Sequence, residues 1–137
     1  MAKGSCACGE IAFEYTGEPQ VTALCHCIDC QKWTGGAFTS NAVVGRDTFQ
    51  VTKGKPNTWD AVGDSGKINK HFFCGNCGSG LYTALEVMPD AYCVKAGALD
   101  GGAASLGDKI GVEFYTKDRV SYLAPCAGAK QEAAFGN

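Results

Sequence analysis

No stretch of the 137 residues approaches the ~20 consecutive apolar positions of a membrane-crossing helix, so no membrane attachment is expected. The opening MAKGSCACGE lacks the apolar core of a secretion signal, and the expected compartment is therefore cytoplasmic, with the nucleus as the alternative. Excess charge of one sign is missing too. Twelve Lys and Arg against fourteen Asp and Glu leave a net charge of −2, and no long basic arm is present to neutralise phosphates. This argues against a surface built wholly for nucleic acid. Long helical periodicity, internal repeats, low-complexity tracts and linkers are absent as well. What remains is the expectation of one domain over 1–137, mainly β, with short strands and many turns. Oligomeric state is not legible.

Cysteine, by contrast, is plentiful. Nine cysteines in a reducing compartment point to metal rather than to disulfides. Seven lie in tight clusters. Cys6 and Cys8 form a CxC pair, and Cys74 and Cys77 form a CxxC pair in FFCGNCGSG. Two such pairs make a four-sulfur zinc site, with glycine after each pair permitting the close turns that aim backbone N–H groups at sulfur. A redox CxxC is the alternative. Because the pairs are far apart in sequence, the metal would staple the first strand to the middle of the chain.

The third cluster, Cys25, Cys27 and Cys30 in CHCIDCQKWTGGAF, offers three sulfurs to one point. Structural zinc takes four protein ligands, whereas catalytic zinc leaves a position open, so these three are read as a reactive metal site. Three thiolates make zinc a poor activator of water. A soft thiol is the natural fourth partner, and a metal-bound thiol is deprotonated and nucleophilic.

Along the chain, EIAFEY at 10–15 alternates, with Ile11, Phe13 and Tyr15 on one face. Val21, Ala23 and Cys25 share one face of a second strand that leads into the knuckle. Ile28–Trp33 fits a turn of helix, ended by Gly35 and Gly36. Phe38–Val44, TFQVTK at 48–53, KINKHFF, LYTALE, Tyr92–Leu99 and Asp118–Leu123 are read as strands, while KGKPN, GDSGK and 101–107 are read as turns or loop. The last stretch, GAKQEAAFGN, is read as a short helix or frayed tail.

GSCACGEIAFEY, CHCIDCQKWTGGAF, FFCGNCGSGLY and KAGALDGG, in this order, resemble the glutathione-dependent formaldehyde-activating enzyme family, which includes the centromere protein V group. The resemblance implies a β-tent fold of short antiparallel strands in two sheets with zinc knuckles. It implies two Zn²⁺ per chain, a structural one on Cys6, Cys8, Cys74 and Cys77 and a catalytic one on Cys25, Cys27 and Cys30. The implied partners are glutathione and formaldehyde or a related aldehyde, joined to S-(hydroxymethyl)glutathione, which in the cleavage direction is a carbon–sulfur lyase reaction. In one place the chain departs from the family pattern: His71 stands where an arginine is common.

Other assignments rest on the residues alone. Six Lys and Arg against three Asp between Gln31 and Cys74 give a local basic bias suited to the carboxylates of glutathione, and Lys32, next to the knuckle, is the first choice. Trp33 and Phe38 are read as pocket walls, and Asn41 and Ser40 as donors to a developing oxyanion. Asp29 is read as a neighbour of the metal, His26 as turned away from its flanking ligands toward a supporting or exposed position, and His71 as a satisfied strand residue. Cys93 is read as a small buried thiol, and Cys126 lies outside the clusters. The competing functions are a zinc-supported binding module for protein or nucleic acid, and a related enzyme acting on another thiol, carbonyl or imine.

Overall fold

A computed structural model describes residues 1–135. In chain order the elements are β1 (Ala2–Ser5), β2 (Ala12–Tyr15), β3 (Val21–Cys25), α1 (Ile28–Thr34), β4 (Thr39–Gly45), β5 (Phe49–Lys53), β6 (Asn57–Val62), β7 (Ile68–Phe73), β8 (Gly80–Leu85), β9 (Ala91–Lys95), β10 (Val112–Phe114) and β11 (Lys130–Gln131). They form two sheets, of order β1-β2-β5 and β11-β10-β3-β4-β9-β8-β7-β6. The mainly β, two-sheet architecture is the expected one. No helix among the described residues is long and apolar enough to cross a membrane.

Period-two alternation sorts the side chains of the large sheet into two buried sets. Ala42 and Val44 of β4 and Val94 of β9 face the small sheet and pack with Ile11, Phe13 and Tyr15 in the core. Asn41, Val43, Cys93 and Lys95 point the other way and line a cavity. A register shift at the β7–β8 pairing lets Leu81 join the core while Thr83 and Leu85 join the cavity face. The site is therefore one whole face of the larger sheet.

Four expectations are corrected. Asp118–Leu123 is not a strand; a short 3-10 turn over Thr116–Asp118 is followed by irregular chain, because Arg119 turns its guanidinium onto the buried Glu113 at 3.3 Å. The strand there is β10, which is parallel to both β3 and β11, so the sheet is not wholly antiparallel. The tail is neither helix nor frayed end over its described part: β11 pairs with β10, and Lys130 N donates to Gly111 O at 3.0 Å. Gly136 and Asn137 lie outside the described residues. The strand read over Tyr92–Leu99 ends at Lys95 and continues as a 3-10 turn, Ala96–Ala98. β1 and β6 have no clear alternation in sequence and are placed by their partners, β2 and β7.

Candidate active site

The two distant cysteine pairs meet as expected. Sγ atoms of Cys6, Cys8, Cys74 and Cys77 all lie within 4.8 Å of one another. A tetrahedral metal with ~2.3 Å bonds to sulfur needs neighbouring sulfurs roughly 3.8 Å apart, and the Cys6–Cys8 and Cys8–Cys74 separations are 3.6 and 3.8 Å. Backbone N–H groups of Ile11, Asn76 and Cys77 donate to the sulfurs of Cys6 and Cys74 at 3.2 to 3.5 Å. Gly9 and Gly78 make these turns possible, each with φ of +80°. Ser79 holds the exposed Cys77 thiol down to about 5. Cys6 and Cys74 are buried at the core, which suits a structural staple.

Cys25, Cys27 and Cys30 form the second set, again with all sulfurs within 4.8 Å. Cys25 ends β3, and Cys27 caps α1 by accepting from Cys30 N at 3.2 Å. Gly35, at φ 70°, closes the helix with its N–H on Gln31 O. Thr39, opposite Cys25 in the β3–β4 register, donates to Cys30 Sγ at 3.4 Å. Hydrogen bonds from Cys25 and Cys27, then the charge of Lys95 and the Thr39 hydroxyl, hold the Cys30 thiol far below its usual range. Hydrogen bonding to Cys27 and Cys30 pushes Cys25 the other way. Like charges at this spacing cannot all persist without a cation, so the donor set fits a thiophilic metal such as zinc.

The three sulfurs open into a cavity of about 130 Å³ between the large sheet and the chain around Tyr115 and Phe135. Beside it lies a wider cleft of about 540 Å³, walled by Trp33, Phe38, Ser40 and Ser79. Thr39 and Lys95 line both. Lys95 Nζ donates to Asn41 Oδ1 at 2.7 Å, and Asn41 Nδ2 donates to Thr39 Oγ1 at 3.0 Å. A positive charge is thus fixed where the two spaces join.

The structure brings together some of the residues singled out above and separates others. Asn41 and Asp29 line the first cavity, and Trp33 lines the cleft, where the bare Gly80 lets it approach; a Cβ there would meet Trp33 Nε1 at 2.7 Å. Trp33 stacks on His71 with centroids 4.4 Å apart. His71 bonds through Nδ1 to Thr83 Oγ1 at 2.9 Å, the satisfied strand residue expected. Lys32 is exposed and lines neither space. Cys93 lines the cavity, and burial pushes its thiol up. Cys126 contributes its backbone N–H to Glu113.

His26 is not exposed. It is 1% accessible, and its Nε2 donates to Glu113 Oε1 at 2.8 Å, turned away from both flanking cysteines. Glu113 also accepts from Gln131 Nε2 and Cys126 N.

Lys95 and Glu113 are the residues that sequence reasoning missed. Lys95 had a signal, since it follows Cys93 by two on one strand face. Glu113 is a lone acid inside the apolar run GVEFY.

A sheet face bearing an incomplete sulfur set, carried by a mainly β framework that a complete set pins together, defines a class of cysteine-liganded proteins fit to hold metal at two places. Comparison narrows it: the model of the glutathione-dependent formaldehyde-activating enzyme family matches residues 1–118, and the chain belongs to that family. The fold is similar to the crystal structure of a Rhodobacter sphaeroides protein, with 23% identity and a TM-score of 0.60 over 77% of this chain and 94% of that one. Membership supports a formaldehyde-activating role.

Proposed function

We propose that the protein is a zinc-dependent carbon–sulfur lyase-like enzyme of the cytoplasm. It adds glutathione, or a similar thiol, to formaldehyde or a related aldehyde to give S-(hydroxymethyl)glutathione or its homologue. The observation that carries this reading is Lys95, a cation at the junction of the two spaces, joined through Asn41 and Thr39 to the Cys30 sulfur of a three-sulfur set with an open side.

Cys25, Cys27 and Cys30 would hold the catalytic zinc, and Cys6, Cys8, Cys74 and Cys77 a structural one. When bound, the catalytic zinc would supply acidification of the incoming thiol, so that a thiolate is available at neutral pH. The cleft between Trp33 and Phe38 receives the peptide-like body of the thiol, and the narrower cavity receives the carbonyl compound. Holding both reactants in one frame turns a bimolecular encounter into an intramolecular one. In the addition, the sulfur–carbon bond forms, the carbon–oxygen π bond breaks, and the proton lost by the thiol ends on the carbonyl oxygen. Lys95 Nζ, steadied by Asn41, stabilises the oxygen as charge develops on it. Apolar walls around the reacting atoms exclude water and strengthen that interaction. Lys32, on the exposed face of α1, is left the lesser part of guiding the thiol's carboxylates from outside the cleft.

Elemental analysis of the purified protein, followed by titration with glutathione while formaldehyde consumption is monitored, tests the reading. Two zincs per chain, one of them responsive to glutathione, and faster aldehyde loss than glutathione alone produces would support it. Two inert zincs without acceleration would overturn it in favour of a zinc-supported binding module.

A further inference from the structure

The cavity beyond the three cysteines is larger and more apolar than formaldehyde requires. Its two charged lining residues, Asp29 and Lys95, stand at the cysteine end, Asp29 on α1 beside Cys30 and Lys95 acting on that thiol. Rows of inward-facing residues lead away from there. Ala23, Asn41 and Lys95 are in register, then Val21, Val43, Cys93, Thr83 and His71, then Leu85, Asn69 and Ala61. The last row sits one inward-facing step, about 7 Å, further along β7 than His71. Ala61, Leu85, Met88 and Tyr115 wall this far end, whereas Phe135 packs against Phe114 beside Cys25.

Two polar side chains interrupt it: Tyr115, whose hydroxyl donates to Asp64 Oδ2 at 2.8 Å, and Asn69. Asn69 is 6% exposed and lines the cavity, and its Oδ1 has no hydrogen-bond partner among the described residues. Buried side-chain amides are ordinarily satisfied; Asn69 Oδ1 is sealed as well as unpartnered, and turning the amide over presents that oxygen to a partner in the cavity. Formaldehyde, with two heavy atoms at the cysteine end, does not reach Asn69. Glutathione, with three charged groups, is a poor occupant of an apolar chamber.

We propose that this far end is the subsite for the body of the carbonyl substrate, an aliphatic aldehyde whose chain carries a hydroxyl group that bonds to Asn69. A hydroxyl both donates and accepts, and it satisfies the amide whichever way round the amide is turned. The inference rests on the reading of the cysteine end as the place of thiol addition. The reaction is otherwise the same: the sulfur–carbon bond forms, the carbonyl π bond opens, and the thiol proton passes to oxygen.

The full-length, zinc-loaded protein with glutathione is assayed against formaldehyde, butanal, hexanal and the ω-hydroxy counterparts of the two longer aldehydes. Binding of hexanediol and hexanol without thiol is followed by ligand-detected NMR. The hydroxylated chain is expected to exceed the plain chain in kcat/KM by roughly tenfold, as a site built to bond a hydroxyl discriminates against its absence. Asn69→Leu brings that ratio close to one, and Ala61→Leu, which fills the chamber, removes the advantage of longer chains over formaldehyde. Thermal unfolding of both variants confirms that they fold. Failure of either alcohol to bind, with formaldehyde outpacing every longer chain, would overturn the proposal and leave the thiol-addition reading standing. Equal rates for plain and hydroxylated chains, unchanged in Asn69→Leu, would also overturn it, with Asn69 then serving water alone. Asn69-dependent binding of the diol without any aldehyde turnover would uphold the subsite and overturn the thiol-addition reading instead.

Discussion

His26 Nε2 lies 2.8 Å from Glu113 Oε1, and each residue is 1% exposed, so the loop carrying the three-cysteine set is tied through its central residue to β10. The backbone adds a second tie, His26 N to Phe114 O at 3.0 Å. Arg119, Gln131 and Cys126 N complete the surroundings of the carboxylate. A loop that must aim Cys25 and Cys27 at one point is thereby prevented from rotating.

Removing that carboxylate should cost both stability and metal. Glu113→Ala leaves His26 and Arg119 facing an empty site, and a loss of about 3–5 kcal/mol is expected from breaking a buried charged network. Glu113→Gln keeps the shape and some hydrogen bonds and should cost less. Both should weaken metal at the second site by roughly tenfold to a hundredfold, as loss of a supporting contact to a ligand loop does. Chelator competition and urea unfolding measure the two effects separately.

The two cysteine clusters should answer differently to a single serine. Cys27→Ser removes a ligand from a set carried locally by the end of β3 and the start of α1, so the second metal is lost while the far-UV circular dichroism is retained. Cys77→Ser opens the set that joins Cys6 and Cys8 to Cys74 across the core, so cooperative unfolding should fail. Equal structural loss in both would refute this division.

Acid should unfold the protein in two windows. Burial, aided by the Lys95 charge, holds the imidazole of His71 down to about 4 from 6.5. The unfolded chain therefore binds the extra proton first, and stability contributed by neutral His71 is lost as pH falls from 6.5 to 4. Burial pushes the Glu113 carboxyl up, but hydrogen bonds from Gln131, His26 and Cys126 N, with Arg119, outweigh it and hold the group down to about 2 from 4.5. Its contribution is present above 4.5 and is lost toward 2. Each loss should be about 1–2 kcal/mol after solvent screening. Urea midpoints followed across both windows should show His71→Phe lacking the first loss and Glu113→Gln the second. Because Glu113→Gln also weakens the second metal, the comparison is made with zinc content followed in parallel at each pH, so that loss of metal is separated from titration of the side chain.

Lys95→Met should lower kcat/KM for thiol addition by about tenfold to a hundredfold, the scale of losing one group aimed at a developing oxyanion. Lys95→Arg retains the charge and should recover part of the rate. Metal content should be unchanged in both, because Lys95 is not a ligand. Steady-state assay with parallel zinc analysis distinguishes an electrostatic part in the reaction from a structural one.

Much of this site was legible in the residues themselves. Spacing alone placed Cys25, Cys27 and Cys30 on one knuckle, and the glycines after Cys8 and Cys77 marked turns that bring backbone N–H groups to sulfur. Alternation placed Ile11, Phe13 and Tyr15 in the core and Val21, Ala23 and Cys25 on a common face. Gly35 ended α1. These features depend on a few consecutive φ and ψ angles or on ligand geometry, so they are written locally.

Lys95, Glu113 and Asn69 acquire their surroundings from strands far away in the chain, and nothing within a few residues of them states which strand that will be. The same holds for Asp118–Leu123, whose alternation reads as a strand until Arg119 is drawn to Glu113. Parallel pairing of β10 with β3 is a contact between residues nearly ninety positions apart. The sequence by itself determined the two sulfur sets, the strand character and the short helix. Only the tertiary structure decided which face of the large sheet became the cavity, because burial, register and charge pairing are properties of the assembled sheet.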